Sequence, residues 1–267
     1  MQLPLYQIDA FTSRLFAGNP AAVVPLDAWL PDEVMQAIAI ENALAETAFF
    51  VRNARGHYEI RWFSPFTEID FCGHATLASA FVLFNQLGAP ETLTFWAKAV
   101  GDIPVRRLPD GKLELSFPEL APTPLSEVPA ALVEGLSIAP SEYWISRQAY
   151  FAVYDNAAQV EAVVTRSDLL KTLAPRDVVV TAPGVAHDFH SRYFWPANGG
   201  EEDSVTGSIH AGLAPFWAKR LGKSHLQALQ GLQRQGELDC RVADSRVFVA
   251  GHAVQYLQGV ITVRAGQ

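Results

Sequence analysis

The sequence predicts an α+β fold in which one plan is used twice: a sheet curled around a single buried helix, followed by a second copy. Three observations predict it. Short blocks of sequence recur in the same order in the two halves of the 267-residue chain. Each half contains a long apolar run with small residues at its start, which reads as a helix. The segments around these runs are short, apolar and bounded by turn residues, which is the pattern of strands.

The repeat is read from four blocks. Cys72-Gly-His-Ala-Thr-Leu-Ala-Ser-Ala-Phe81 aligns with Thr206-Gly-Ser-Ile-His-Ala-Gly-Leu-Ala-Pro215 at an offset of 134 residues. The same offset carries Leu87-Gly88 onto Leu221-Gly222. Upstream, Arg61-Trp-Phe-Ser-Pro65 matches Arg192-Tyr-Phe-Trp-Pro196 at an offset of 131. Downstream, Gly101–Arg106 matches Gly236–Arg241 at 135. A drift this small over four ordered blocks indicates a duplication with short insertions.

In chain order, Leu5 to Phe11 reads as a first strand and Phe16 to Pro20 as a turn. Ala21 to Val24 reads as a second strand, ended by Pro25. Pro31 to Ala43 carries helix signals: proline at the start, Asp32 and Glu33 in the first turn, then Val34, Ile38 and Ala39 at helical spacing. Thr47 to Val51 and Tyr58 to Phe63 are strands, which puts Glu46 at a helix-to-strand junction. The helix opening at Cys72 is apolar on nearly every side, as a buried helix must be. Strands follow near Leu93 to Trp96, Ile103 to Leu108 and Lys112 to Phe117, with Asp110-Gly111 as a hairpin turn.

Pro118, Pro122, Pro124 and Pro129 mark a linker. It separates a first lobe, residues 1–118, from a second, residues 119–255. The second lobe repeats the order: strands within Tyr143 to Tyr154, a short helix at Ser167 to Leu173, and strands at Asp177 to Thr181 and Arg192 to Trp195. The helix from Thr206 to Leu221 follows, ending at Gly222, then strands at Leu226 to Leu229, Glu237 to Val242 and Arg246 to Ala250. A last strand, Val254 to Val263, is expected to return to the first lobe, so that residues 256–267 belong with it.

The formal net charge is −8, which leaves no basic footprint for nucleic acid. No apolar run approaches the length of a membrane span, and Met1 to Ala10 lacks the charged start and apolar core of a signal peptide. The two cysteines, Cys72 and Cys240, make no disulfide framework, so a reducing, cytoplasmic setting is expected. His187 and His190 have no nearby ligands to complete a zinc site, and there is no phosphate-binding or dinucleotide glycine fingerprint. Neither a metal nor a cofactor is expected.

Asp203-Ser-Val-Thr-Gly-Ser-Ile-His210 is the densest chemical motif. A helix start exposes unpaired N–H groups and the positive end of the helix dipole. Thr206, Gly207 and Ser208 are small enough to let an anion approach, and Asp203 stands at the lip. These residues also suit plain capping of a helix.

Gly18-Asn19-Pro20, Glu46-Thr47-Ala48, Gly73-His74-Ala75-Thr76 and Asp203-Ser-Val-Thr-Gly-Ser208 occur in this order and spacing. As a set they resemble the phenazine-biosynthesis (PhzF-like) isomerase family, within the diaminopimelate-epimerase-like fold, and the resemblance covers nearly the whole chain. It implies two pseudo-symmetric lobes, each a mostly antiparallel, barrel-like sheet around a central helix, with the active site in the cleft between them. It also implies a homodimer that acts on a small molecule without a cofactor.

On its own, Glu46 would read as a solvated glutamate at a strand start. The resemblance makes it the proton shuttle, and apolar surroundings suit a carboxyl group to acid/base work near neutral pH. His74, at the start of the first buried helix, is expected to donate a hydrogen bond or help carry a proton. Asp203 would hold a substrate amino group or orient His74. Asn19, Gly73, Gly207 and Ser208 are the implied substrate contacts. In related two-base racemases, cysteines at both helix starts act as opposed acid and base; here the second position is Thr206. An alcohol cannot replace a thiol as base, so Cys72 reads as a packed residue. The rival readings are a racemase or epimerase using Cys72 with another base, and a non-catalytic small-molecule-binding protein on the same fold.

Overall fold

A computed structural model of the chain describes residues 1–53 and 56–264. It divides into two compact units: Met1–Ser116 with the stretch that begins at Ala250, and Phe117–Val249. The first unit runs β1 (Gln2–Ala10), β2 (Asn19–Leu26), α1 (Asp32–Asn42), β3 (Glu46–Arg52), β4 (Tyr58–Phe63), the two-residue β5 (Glu68–Ile69), α2 (Gly73–Asn85), β6 (Thr92–Ala97), β7 (Gly101–Arg107) and β8 (Leu113–Pro118). The second runs β9 (Thr123–Pro124), α3 (Ala130–Glu134), β10 (Glu142–Ile145), β11 (Ala149–Val153), α4 (Ala157–Ala162), α5 (Ser167–Leu170), β12 (Asp177–Pro183), β13 (Phe189–Phe194), β14 (Glu202–Asp203), α6 (His210–Leu221), β15 (His225–Gln230), β16 (Gly236–Ala243) and β17 (Arg246–Gly251). The last strand, β18 (Ala253–Thr262), pairs antiparallel with β1.

The two units share one wiring. In the first, β1–β2 is antiparallel, β2–β3 parallel, β3–β4 and β4–β5 antiparallel, β4–β6 parallel and β6–β7 antiparallel. In the second, β10–β11, β11–β12, β12–β13, β13–β14, β13–β15 and β15–β16 repeat those six relations in the same order. Each buried helix falls between the same two strands of its unit. Two parallel pairs per unit make the sheet mixed rather than uniformly antiparallel.

Eleven of the thirteen α2 residues are buried, and the helix packs on β1, β2, β3 and β18. Its polar groups are satisfied locally: the Thr76 and Ser79 hydroxyls donate to the carbonyls of Cys72 and Ala75 at 2.6 and 2.8 Å. In α6, Pro215 cannot donate to the Ala211 carbonyl one turn back. That carbonyl accepts instead from the Leu120 N–H at 2.9 Å. The strap carrying Leu120 therefore lies against the helix at Gly212, where a Cβ would come 2.8 Å from Phe151 Cζ and 3.0 Å from the Leu120 oxygen.

Several details differ from the sequence reading. The boundary falls at residue 116, and the return strand begins at Ala253. Pro25 does not end β2, which runs on to Leu26; the ladder with β1 stops at Val23, so no N–H is needed there from Pro25 on that side. The proline-rich stretch is more than a linker, since Thr123–Pro124 pairs with β10 and Pro129 precedes α3. The helix expected from Thr206 opens as a 3₁₀ turn, Gly207–Ile209, with α6 proper from His210; Gly222 closes it with φ 65°. No helix among the described residues is long and apolar enough to cross a membrane.

The crowding at Gly212 gives a test of the fold. Gly212→Ala should destabilise the protein by about 1–3 kcal/mol, the usual cost of overpacking, measured by urea unfolding. Unchanged stability would mean that Leu120 and Phe151 yield freely.

Candidate active site

The starts of β2, β3 and α2 bring together four side chains from three separate stretches of sequence. Gly18 enters β2 with φ +63°, and a Cβ there would lie 2.1 Å from the Ala10 carbonyl oxygen. Only glycine makes that turn without displacing backbone, and the turn delivers Asn19 to the interior. Ala43 ends α1 in the left-handed conformation, with φ 52°, and the chain re-enters as β3 at Glu46, opposite Ala21 of β2. Cys72, in extended conformation, precedes α2, and His74 lies in its first turn.

Glu46, Cys72, His74 and Asn19 are all buried. Glu46 Oε2 lies 3.0 Å from His74 Nε2. The contact is close enough for an ion pair but is not aligned as a hydrogen bond, and Oε2 has no hydrogen-bond partner. Asn19 Nδ2 is 3.1 Å from His74 Nδ1, and Cys72 Sγ is 3.4 Å from Nδ1 and 3.9 Å from Nε2. With its NH₂ toward Nδ1, Asn19 fits a neutral ring that carries its proton on Nε2. A half-turn of the amide presents Oδ1 and fits the imidazolium.

Burial alone would lower the pKa of His74, but the Cys72 sulfur and the Glu46 carboxyl group together hold it well above the ordinary histidine value. The Cys72 thiol is itself pushed up to about 11, chiefly by burial and then by the charge of Glu46. It therefore keeps its proton near neutral pH. This thiol is not poised as a base.

The residues of the second motif lie in the other unit and have partners of their own. Asp203 ends β14, and its Oδ2 accepts from the Thr206 hydroxyl. Gln230, fully buried, accepts from the Thr206 N–H through Oε1 at 3.0 Å and donates to Thr206 Oγ1 through Nε2 at 3.2 Å. The Thr206 hydroxyl is thus committed as a donor to Asp203. Gly207 is buried in the 3₁₀ turn. Ser208 Oγ accepts from Gln148 Nε2 at 2.9 Å, and the same nitrogen is 3.1 Å from Tyr193 Oη. Tyr193 donates to Asp177 Oδ2 at 2.6 Å, while Asn198 donates to Oδ1 at 2.8 Å. Burial raises the Asp177 carboxyl pKa above its usual range, against the lowering effect of those two donors.

Gln148, Asp177, Tyr193 and Gln230 were not singled out from the sequence. The repeat itself holds the missed signal. Asp177 opens β12 as Glu46 opens β3, and Ser208 stands at the repeat position of His74. Carrying the repeat over to strand starts would have marked Asp177.

The buried pair sets a pH dependence. A histidine with a raised folded-state pKa stabilises the fold fully below its unfolded value, near 6.5, and that contribution is lost as pH rises through the folded value. The unfolding free energy of wild type relative to His74→Gln should therefore fall from pH 6 upward. A difference independent of pH would show that the ring has the same proton affinity folded and unfolded, and one that rises with pH would show that the folded ring stays neutral.

A family model described as phenazine biosynthesis-like protein (PhzC-PhzF) matches residues 8–259. A protein of Pseudomonas aeruginosa named an uncharacterized isomerase is 46% identical over 261 residues, spanning 98% of this chain and 99% of its own length. The human phenazine biosynthesis-like domain-containing protein is 36% identical, over 98% of this chain and 100% of its own. A crystal structure of a PhzF-family phenazine biosynthesis protein from Enterococcus faecalis is similar with a TM-score of 0.93 and 41% identity, covering 98% of this chain and all of that one.

Proposed function

The chain belongs to the phenazine biosynthesis-like, PhzF-like family, and from that premise we propose that it is a cofactor-independent isomerase that relocates a proton on a small carboxylate-bearing substrate. The single observation that carries this reading is the Glu46 oxygen: buried, 3.0 Å from His74 Nε2, and without a hydrogen-bond partner. A lone pair so placed accepts a proton without first giving up another bond. Glu46 takes the proton from an activated carbon and returns it elsewhere on the conjugated system. His74 balances the charge of the Glu46 carboxylate before the first step and after the second, keeping its own ring protons throughout, and Asn19 holds the ring in place through Nδ1.

Gly73, Gly207 and Ser208 are proposed as substrate contacts, and Asp203 as the partner of a substrate amino group. Because Ser208 Oγ accepts from Gln148, its own O–H remains to donate to a carboxylate. The substrate class is amino acid-like or dihydro-hydroxyanthranilate-like. Each sheet is read as curling, barrel-like, around its helix. A cytoplasmic homodimer fits two free thiols and the exposed Tyr256, Leu257 and Val260 on β18. The racemase reading gains nothing from Thr206, whose hydroxyl is donated to Asp203.

Turnover of trans-2,3-dihydro-3-hydroxyanthranilate in D₂O should place solvent deuterium in the product, read by mass spectrometry. Glu46→Gln should cut the rate by about 10²–10⁴ or more while leaving the fold intact. Near-wild-type turnover in that variant would end the assignment of Glu46.

Cys72→Ala separates the two chemistries. Most of the activity should remain, because the thiol is packed rather than reactive. An inactive variant of unchanged stability, still able to bind substrate, would make Cys72 the base and revive the racemase reading.

A further inference from the structure

The three buried side chains at the start of α2 combine a thiol, an imidazole and a carboxylate, which is a ligand set as well as an acid/base set. We propose that Glu46, Cys72 and His74 form a binding site for one thiophilic divalent cation of the zinc class, and that the bound ion stops proton transfer.

The ligand atoms all lie within 4.8 Å of one another. A tetrahedral zinc site with Zn–S of about 2.3 Å and Zn–N or Zn–O of about 2.0–2.2 Å has ligand-to-ligand edges of about 3.3–3.6 Å. The observed 3.0 Å from Glu46 Oε2 to His74 Nε2 and 3.9 Å from Cys72 Sγ to the same nitrogen bracket that range. Those two edges need shifts of a few tenths of an ångström, and the third, between Glu46 and Cys72, lies within 4.8 Å and closes as the two side chains turn toward the ion. Glu46 Oε2 is the second observation: a side chain more than nine-tenths buried, aimed at this cluster, with no hydrogen-bond partner. Ligating histidines carry a partner on the far nitrogen. Asn19 stands 3.1 Å from Nδ1 and serves in that place once its amide turns to present Oδ1.

The donor set selects the ion. One oxygen among three ligands is too few for calcium or magnesium, which take six or more oxygens. Thiolate with imidazole suits zinc and its neighbours. Binding breaks the Cys72 S–H bond and the His74 Nε2–H bond and forms S–metal and N–metal bonds; the thiol proton leaves to solvent, the Nε2 proton leaves to solvent from the imidazolium or is replaced by one on Nδ1 in the neutral ring, and no electron changes hands. The fourth position is left for water or an anionic substrate group. The Glu46 lone pair that would accept the substrate proton then lies on the metal. That inhibitory step rests on the proposed function, whereas the binding itself does not.

The test uses the full chain, stripped with chelator and titrated with cobalt(II) as a coloured stand-in for zinc. One cobalt per chain should bind, with near-ultraviolet thiolate-to-cobalt absorption that zinc displaces. Cys72→Ser should remove that absorption and Cys240→Ala should keep it. Glu46→Gln should weaken binding by about tenfold or more, the scale on which even outer partners of a metal act. Circular dichroism checks that each variant is folded. Absence of the band in folded wild-type protein, or its persistence in Cys72→Ser, would overturn the site. Saturating zinc that leaves deuterium exchange untouched would overturn the inhibition alone, and loss of the band with Glu46-dependent exchange intact would sink the metal site and leave the proton shuttle standing.

Discussion

The contact on which the site depends is the buried approach of Glu46 to His74. Burying two ionisable groups costs several kcal/mol each before their attraction is counted. Here the pair is not aligned as a hydrogen bond, so the attraction lacks its best geometry. Well-packed apolar residues would serve stability at least as well. The arrangement instead fits the proposed proton carrier: a carboxyl group held close to an imidazole, with one oxygen that has no hydrogen-bond partner. The neighbouring backbone is committed to this placement. Gly18 is confined by the Ala10 carbonyl, Ala43 takes a left-handed turn, and α2 is buried on nearly every side.

The duplicated wiring shows what was kept and what diverged. Each unit opens an equivalent strand with an acidic residue, Glu46 or Asp177, and opens an equivalent helical segment with a chemical side chain, His74 or Ser208. In the second unit both carboxyl oxygens of Asp177 receive donors, from Tyr193 and Asn198. In the first unit Glu46 Oε2 receives none. A fully bonded carboxyl group must break a bond to take a proton, while an unbonded one need not. The same position in the same fold thus supports a hydrogen-bond chain to Ser208 in one copy and leaves a carboxyl oxygen without a hydrogen-bond partner in the other.

Local patterns made much of the fold legible. The all-round apolarity of α2 told that it is buried, and alternation located β4 to the residue. The helix-to-strand junction placed Glu46, but only the family resemblance marked it as a site residue. The misses have physical causes. Strand β2 passes through Pro25 because β1 has already stopped pairing, which is a property of the partner strand. Helix α4 did carry a signal: Asn156 Oδ1 accepts from the Gln159 N–H and Gln159 Oε1 accepts from the Asp155 N–H, a reciprocal cap visible as Asp-Asn-Ala-Ala-Gln. Gln148 and Gln230 had none. Their partners lie 60 and 24 residues away, and glutamine in a strand or a turn is ordinary.

The two helical starts carry Cys72 in one unit and Thr206 in the other, and the surroundings of the two side chains differ. The Cys72 thiol is pushed up to about 11 by burial and by the charge of Glu46, so it is idle as a base near neutral pH. A symmetric two-thiol mechanism needs each sulfur to share its proton with a partner of matched affinity. Here the partner of Cys72 is the ring of His74, which is already engaged with Glu46. At the other start the Thr206 hydroxyl is fixed as a donor by Asp203 and Gln230, which leaves Asp203 a carboxyl group oriented by its own turn. The carboxyl group of Glu46 is the member of the first cluster with a buried oxygen that lacks a hydrogen-bond partner, and this is the observation behind its proposed role as proton shuttle.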